Sequence, residues 1–208
     1  MTKLLVATRS AHKLQEIREI LRDSWAGELV DLNTAGIPEG PDEDSIEIFG
    51  SFAENAMAKA RYFGRLADLA VIADDSGLCV DALGGAPGVH SKRFAPSVAG
   101  IETDQANNVH LLHLLNGVPP RARTARYICV IALATPERGE QLFEGSCEGE
   151  ILTMPRGTGG FGYDPLFLPA GSDRSFGELS QRRKNLISHR AQALKAAADH
   201  LWGPSRIV

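Results

Sequence analysis

The sequence predicts an α/β fold, and three observations carry that prediction. Short apolar runs at Leu4–Ala7 and Leu69–Ala73 have the length of buried strands and stop abruptly in polar residues. Apolar residues three and four apart, as at Leu14, Ile17, Ile20 and Leu21, mark amphipathic helices between such runs. The stretch from Thr124 to Ala134 is apolar on both faces, as a central strand should be.

The 208 residues suit one domain, 1–208, with room for two lobes sharing a sheet. A hydrophobic fraction of 43% is enough for a substantial core and argues against disorder. Twenty-six acidic against 22 basic groups leave a net charge of -4, which argues against nucleic acid as a partner. A small anion in a local pocket stays open. Cys79, Cys129 and Cys147 contain no CxxC pair and are odd in number, so buried reduced thiols are expected rather than a zinc site or disulfides. The start, MTKLLVATRS, is too short for a secretory core, and no apolar run approaches a membrane span. A soluble cytoplasmic protein is expected, with no membrane partner.

In chain order, the first strand leaves through Thr8, Arg9 and Ser10 into a helix that Ser10 caps. Lys13 then sits in the first helical turn, where a cation opposes the dipole. It is either a phosphate grip or a solvated lysine. Residues 33–50 hold Pro38, Pro41 and five acids, and read as a long acidic loop. Ser51 and Glu54 form a capping box for a second helix with Phe52, Ala56, Ala60 and Phe63 on its apolar stripe. Asn55 and Lys59, four apart, share another, polar face.

The second buried run ends in Asp74-Asp75-Ser76-Gly77. Adjacent carboxylates after a buried strand are costly unless something neutralises them, and magnesium commonly takes one or two carboxylates together with substrate phosphates. A plain turn role for one aspartate is the competing reading. Leu78–Val80 suggests a short returning strand, and residues 104–116 a helix with Leu111, Leu112, Leu114 and Leu115 on its apolar side, whose His110 and His113 read as surface residues. Gln141–Thr153 reads as a strand in which Gly145 and Gly149 mark bulges or turns. Gly157–Gly162 fits GxGxxG, but Asp164-Pro165 denies it the helix that a dinucleotide site needs. That loop, with Phe161, suits close wrapping of a planar ligand. A helix near Leu179–Leu186 follows. A last helix, capped by Ser188, buries Leu194, Ala198 and Leu201 and carries His189 and Arg190 in its first turn. Cations at two helix starts point to a polyanion docked between them.

These blocks together resemble the inosine triphosphate pyrophosphatase family over nearly the whole length. The resemblance rests on Ala7-Thr8 with Lys13, on Ser51–Ala56 with Lys59, and on Ala73–Leu78. It continues through Leu83–Gly88 and Gly157–Pro165 to Ile187–Arg190 with Lys184. It implies an elongated mixed sheet flanked by helices, in two lobes with a central nucleotide cleft, and a homodimer. The implied activity is Mg2+-dependent hydrolysis of ITP, dITP and XTP to the monophosphate and pyrophosphate. Asp75 matches the family's acid acting on water and metal, with Glu47 as a second metal ligand and Asp74 as a further candidate. Thr8, Arg9, Ser10, Ala11, His12, Lys13 and Lys59 match triphosphate contacts, and Ser76 a substrate contact. Phe161, Gly162, Tyr163, Asp164, Lys184, His189 and Arg190 match base recognition. Arg9 and Ser10 depart from the family's usual Gly-Asn, leaving Arg9 to meet phosphate or solvent. A Maf-like pyrophosphatase for other modified nucleotides and a non-catalytic nucleotide-binding regulator are the alternatives.

Overall fold

A computed structural model describes residues 3–22, 24–25, 27–97, 99–136 and 139–202, so the ends of the predicted 1–208 span lie outside the described residues. The strands are β1 (Lys3–Val6), β2 (Glu28–Asp31), β3 (Ala70–Val80), β4 (Thr124–Thr135), β5 (Gly139–Ile151) and β6 (Phe167–Pro169). The main helices are α1 (Ala11–Leu21), α2 (Phe52–Ala67), α3 (Thr103–Leu114), α4 (Gln181–Ile187) and α5 (His189–Trp202).

The strands form one sheet in the order β2-β1-β3-β4-β5-β6. β1 lies parallel to β2, with Leu5 opposite Val30, and parallel to β3, with Leu5 opposite Val71. β6 runs antiparallel to β5, with Leu168 opposite Glu150. The sheet is therefore mixed and flanked by helices, as expected. β4 is interior, which accounts for its burial on both faces.

The chain divides into two compact units. One holds the chain up to Asp75, Cys129–Gly145 and the segment from Arg190 onward. Its core packs Leu4, Val6, Ile17, Ile72, Ile131 and Leu194. The other holds Ser76–Ile128 and Ser146–His189, with a core of Leu78, Val80, Leu111, Tyr127, Phe167 and Phe176.

Three details differ from the sequence reading. β3 does not stop at Ala73. It carries Asp74 and Asp75 inside the strand and continues to Val80, because cations around the acids remove the reason to leave the core. Leu78–Val80 is thus the same strand, not a return. Gly149 marks neither bulge nor turn. A Cβ there would lie 2.3 Å from the Leu168 carbonyl oxygen, so glycine lets β6 pair closely. In α3, Leu111 is buried but Leu114 is 41% exposed. The 33–50 region is irregular except for a single 3-10 turn at Glu43–Ser45, as its composition implied. Among the described residues no helix is long and apolar enough to cross a membrane.

Candidate functional site

The first unit gathers acids and cations around the middle of β3. Ser10 caps α1, its hydroxyl oxygen accepting the Lys13 N–H at 3.4 Å. The lysine's own ammonium reaches Asp74 Oδ2 at 3.3 Å, so the cation in the first turn has a buried carboxylate to offset its conflict with the dipole. Arg190 donates to the same oxygen through Nε at 3.3 Å and Nη2 at 3.1 Å, and through Nη1 to Glu16. Arg190, Glu16 and Asp74 are all buried. Burial alone would push the Asp74 carboxyl up, but Lys13, Arg190 and Lys59 outweigh it and hold it well below the usual carboxylate range. The same acids raise the Arg190 guanidinium against its burial.

One residue on, Asp75 has a different environment. Asn55 Nδ2 donates to its Oδ2 at 3.1 Å, and Lys59 Nζ lies 3.7 Å from its Oδ1. Burial, reinforced by Glu47, pushes the Asp75 carboxyl up against the pull of Lys59 and Lys13. Lys59 also donates to Glu47 Oε1 at 2.5 Å and to the Asp74 carbonyl at 2.5 Å. Burial lowers this ammonium's pKa, and the three acids around it more than restore it. Asn55 and Lys59, one turn apart on α2, are both buried against the acids rather than solvated.

Several predicted residues have charged or polar partners within the protein. Arg9 is turned to the acidic loop, with its side chain 25% exposed. Its guanidinium grips Glu43 at 2.9 and 2.6 Å and donates to the carbonyls of Ile37 and Pro38, pinning the acidic loop. Arg190, matched to base recognition, is a buried counter-ion in the first unit. Asp74 Oδ2 serves Lys13 and Arg190 as their anion. Lys13 and Arg190, the cations at two helix starts, thus share one acid of the protein. Thr8 accepts the Ser10 N–H at 3.2 Å, and Ala11 and His12 lie exposed on the first turn of α1. Glu16 was missed, and the one available signal was an acid directly beside Ile17 on a buried stripe.

In the second unit, the Gly157–Pro165 loop forms no helix, as expected. Asp164 organises it, accepting from the Phe161 N–H at 2.9 Å and from Lys184 Nζ at 2.5 Å. Lys184 Nζ also sits 4.7 Å from the centre of the Phe161 ring. Asp104 accepts the Gly162 N–H at 2.6 Å, and Asn108 donates to its carbonyl at 2.9 Å. Tyr163 is a core residue whose hydroxyl donates to the Ser91 carbonyl at 2.9 Å. His189 is buried and stacks on Tyr127 at 4.7 Å. Ser76 is half-buried within β3. Phe161, Gly162, Asp164 and Lys184 are thus brought together, while Tyr163 is committed to packing.

Among the described residues no group of three or more His, Cys, Asp or Glu side chains is placed to hold a metal. Cys129 and Cys147 are buried, Cys79 half-buried, and all three are free thiols.

Residues 4–200 match the Ham1 family. A dITP/XTP pyrophosphatase of Geobacter sulfurreducens is 45% identical over 202 residues, covering 97% of each chain. One from Desulforamulus reducens is 46% identical over 200 residues, covering 96% of this chain and 95% of its own. Among solved structures, a HAM1 protein of Coxiella burnetii superposes with a TM-score of 0.82 at 36% identity, covering 97% of this chain and 98% of its own. A nucleoside-triphosphatase, or dITP/XTP pyrophosphatase, of Mycobacterium abscessus gives 0.72 at 41% identity, covering 96% and 100%.

Proposed function

The chain belongs to the Ham1 family, and on that premise we propose that it hydrolyses the non-standard purine triphosphates ITP, dITP and XTP to the monophosphate and pyrophosphate, with Mg2+ as cofactor. The observation that carries the chemistry is Asp75 with Glu47, two carboxylates turned toward one ammonium, Lys59 Nζ. Together with the Asp74 carbonyl they converge oxygen donors on a cation.

That donor set fits magnesium, a hard cation that favours oxygen and needs no more than one or two carboxylates when phosphates and water complete its shell. Asp75 and Glu47 would hold it. When bound, it supplies charge neutralisation of the phosphate chain and Lewis acidity toward the phosphoryl oxygens. Lys13, its side chain 20% exposed at the start of α1, is the cation with room to meet phosphate, beside the exposed first-turn residues Ala11 and His12. Asp75, which would stand beside both the metal and the water, is suited to orient that water and take its proton as its oxygen attacks the α-phosphorus. The α–β phosphoanhydride bond then breaks and pyrophosphate departs. Lys59, fixed beside both acids, offsets the negative charge that accumulates there.

Base selection falls to the second unit. Half-buried Phe161 offers a ring for purine stacking, in a loop fixed by Asp164 and Lys184. Arg190 binds Asp74 and Glu16, so we assign recognition of the purine O6 to other donors. The resemblance to the inosine triphosphate pyrophosphatase family also supports a cytoplasmic homodimer.

Purified protein with ITP and Mg2+ should release pyrophosphate and IMP, with little turnover of ATP or GTP at equal concentration. Orthophosphate as the phosphorus product would overturn the reaction, and preference for a modified pyrimidine would favour the Maf-like alternative. Asp75→Asn should lower kcat by at least about a hundredfold, the lower range for loss of a positioned proton acceptor, with the fold retained by circular dichroism. Near-normal turnover would remove Asp75 from its role.

A further inference from the structure

Asn55 makes three bonds through one buried amide. Its Oδ1 accepts the Phe49 N–H at 3.0 Å, and its Nδ2 donates to the Phe49 carbonyl at 3.2 Å and to Asp75 Oδ2 at 3.1 Å. The side chain is 2% exposed. An asparagine amide has one acceptor and two donor hydrogens, so a pairing with both polar groups of one residue leaves a single hydrogen, and that hydrogen goes to Asp75.

Phe49 stands two residues after Glu47 in a segment without helix or strand, where few backbone bonds fix the chain. Glu47 carries a side chain 37% exposed and would wander without an anchor, whereas Asp75 is set by β3. Lys59 draws the two carboxylates together, but an ammonium is a point charge that tolerates many geometries. The Asn55 amide is planar and directional. A core asparagine needs only to satisfy its own polar atoms. This one spends them all on the two segments that carry the acid pair.

We propose that Asn55 is a positioning residue that holds the Glu47 segment in register with Asp75 and thereby sets the affinity of this pair for a divalent cation. The proposal rests on the assignment of Asp75 and Glu47 as metal ligands made above. Groups that orient metal ligands are commonly worth about 10–100-fold in affinity or activity when lost.

The test uses full-length Asn55→Ala, with Mn2+ as the probe. Free Mn2+ is counted by electron paramagnetic resonance in nucleotide-free protein, and amide exchange at Phe49 is followed by NMR. In the wild type, Mn2+ binding that Asp75→Asn weakens establishes the ligand assignment independently of turnover. If that variant binds Mn2+ as the wild type does, the assignment fails, and with it the proposal. Asn55→Ala should then bind Mn2+ roughly 10–100-fold more weakly and exchange the Phe49 amide faster, with kcat falling at saturating ITP while KM for ITP moves little. Unchanged Mn2+ affinity in folded Asn55→Ala overturns the proposal even if ITP hydrolysis proceeds. Should Asn55→Ala fail to fold, Asn55→Ser replaces it. Its hydroxyl can donate to Asp75 but cannot span both groups of Phe49, so the same loss of Mn2+ affinity and Phe49 protection is expected, and wild-type values of both would again overturn the proposal.

Discussion

Arg190 has no route to solvent, and the two acids it binds, Asp74 and Glu16, are as deeply buried as it is. Such a triad is held by mutual neutralisation rather than by net gain. Arg190→Ala should therefore destabilise the fold by about 3–5 kcal/mol, because it strands buried carboxylates. Urea unfolding checks this, and a loss below about 1 kcal/mol would mean that water reaches both acids. A pH dependence follows with a definite sign. The folded-state Asp74 carboxyl is depressed by its cations, so its contribution is complete above the unfolded value of about 3.9 and is lost as pH falls through the lower folded one. Stability of the wild type should decline steeply below about pH 4. In Arg190→Ala the decline should be shallower, since Lys13 and Lys59 alone depress Asp74 less.

At the scale of elements, α3 contributes more than its sequence reveals to the Gly157–Pro165 loop, to which we assign base recognition. Asp104 and Asn108, one turn apart, take the N–H and the carbonyl of Gly162, whose φ of +62° is left-handed. Asp104→Ala should free that peptide and lower kcat/KM for ITP about tenfold, the value of one hydrogen bond to a charged group. Because Asp104 is exposed, thermal unfolding should barely move. A changed melting temperature with unchanged kcat/KM would make the clamp structural only. The partners lie 58 and 54 residues away, so no local pattern announces them. What was legible is what local physics dictates. The apolar runs of β1 and β4 and the serine caps of α1 and α2 all appear where expected. β2 and β6, of four and three residues, are too short to carry a period. For the site, sequence placed Asn55 and Lys59 on one face of α2 and flagged the costly Asp74–Asp75 pair. It did not show that Arg9 belongs to Glu43, or that Arg190 belongs to Asp74, since both pairings are made by the tertiary fold.

For the whole molecule, the two units have separate cores yet share chain at every crossing. β3 passes from the first to the second after Asp75, β4 from the second to the first after Ile128, β5 from the first to the second after Gly145, and α5 from the second to the first after His189. Unfolding either unit must therefore melt part of the same three strands, and one cooperative transition is expected. The tryptophans give a direct test, because Trp25 and Trp202 both belong to the first unit and none belongs to the second. Phe176 lies in the core of the second, in ring contact with Tyr127 and Phe167. Phe176→Ala should cost about 3–5 kcal/mol. If the units unfold together, the tryptophan-detected urea midpoint shifts down as far as the midpoint seen by far-UV circular dichroism, although the substitution lies in the other unit. A tryptophan midpoint that stays in place while circular dichroism resolves an earlier step would show that the first unit holds its fold alone.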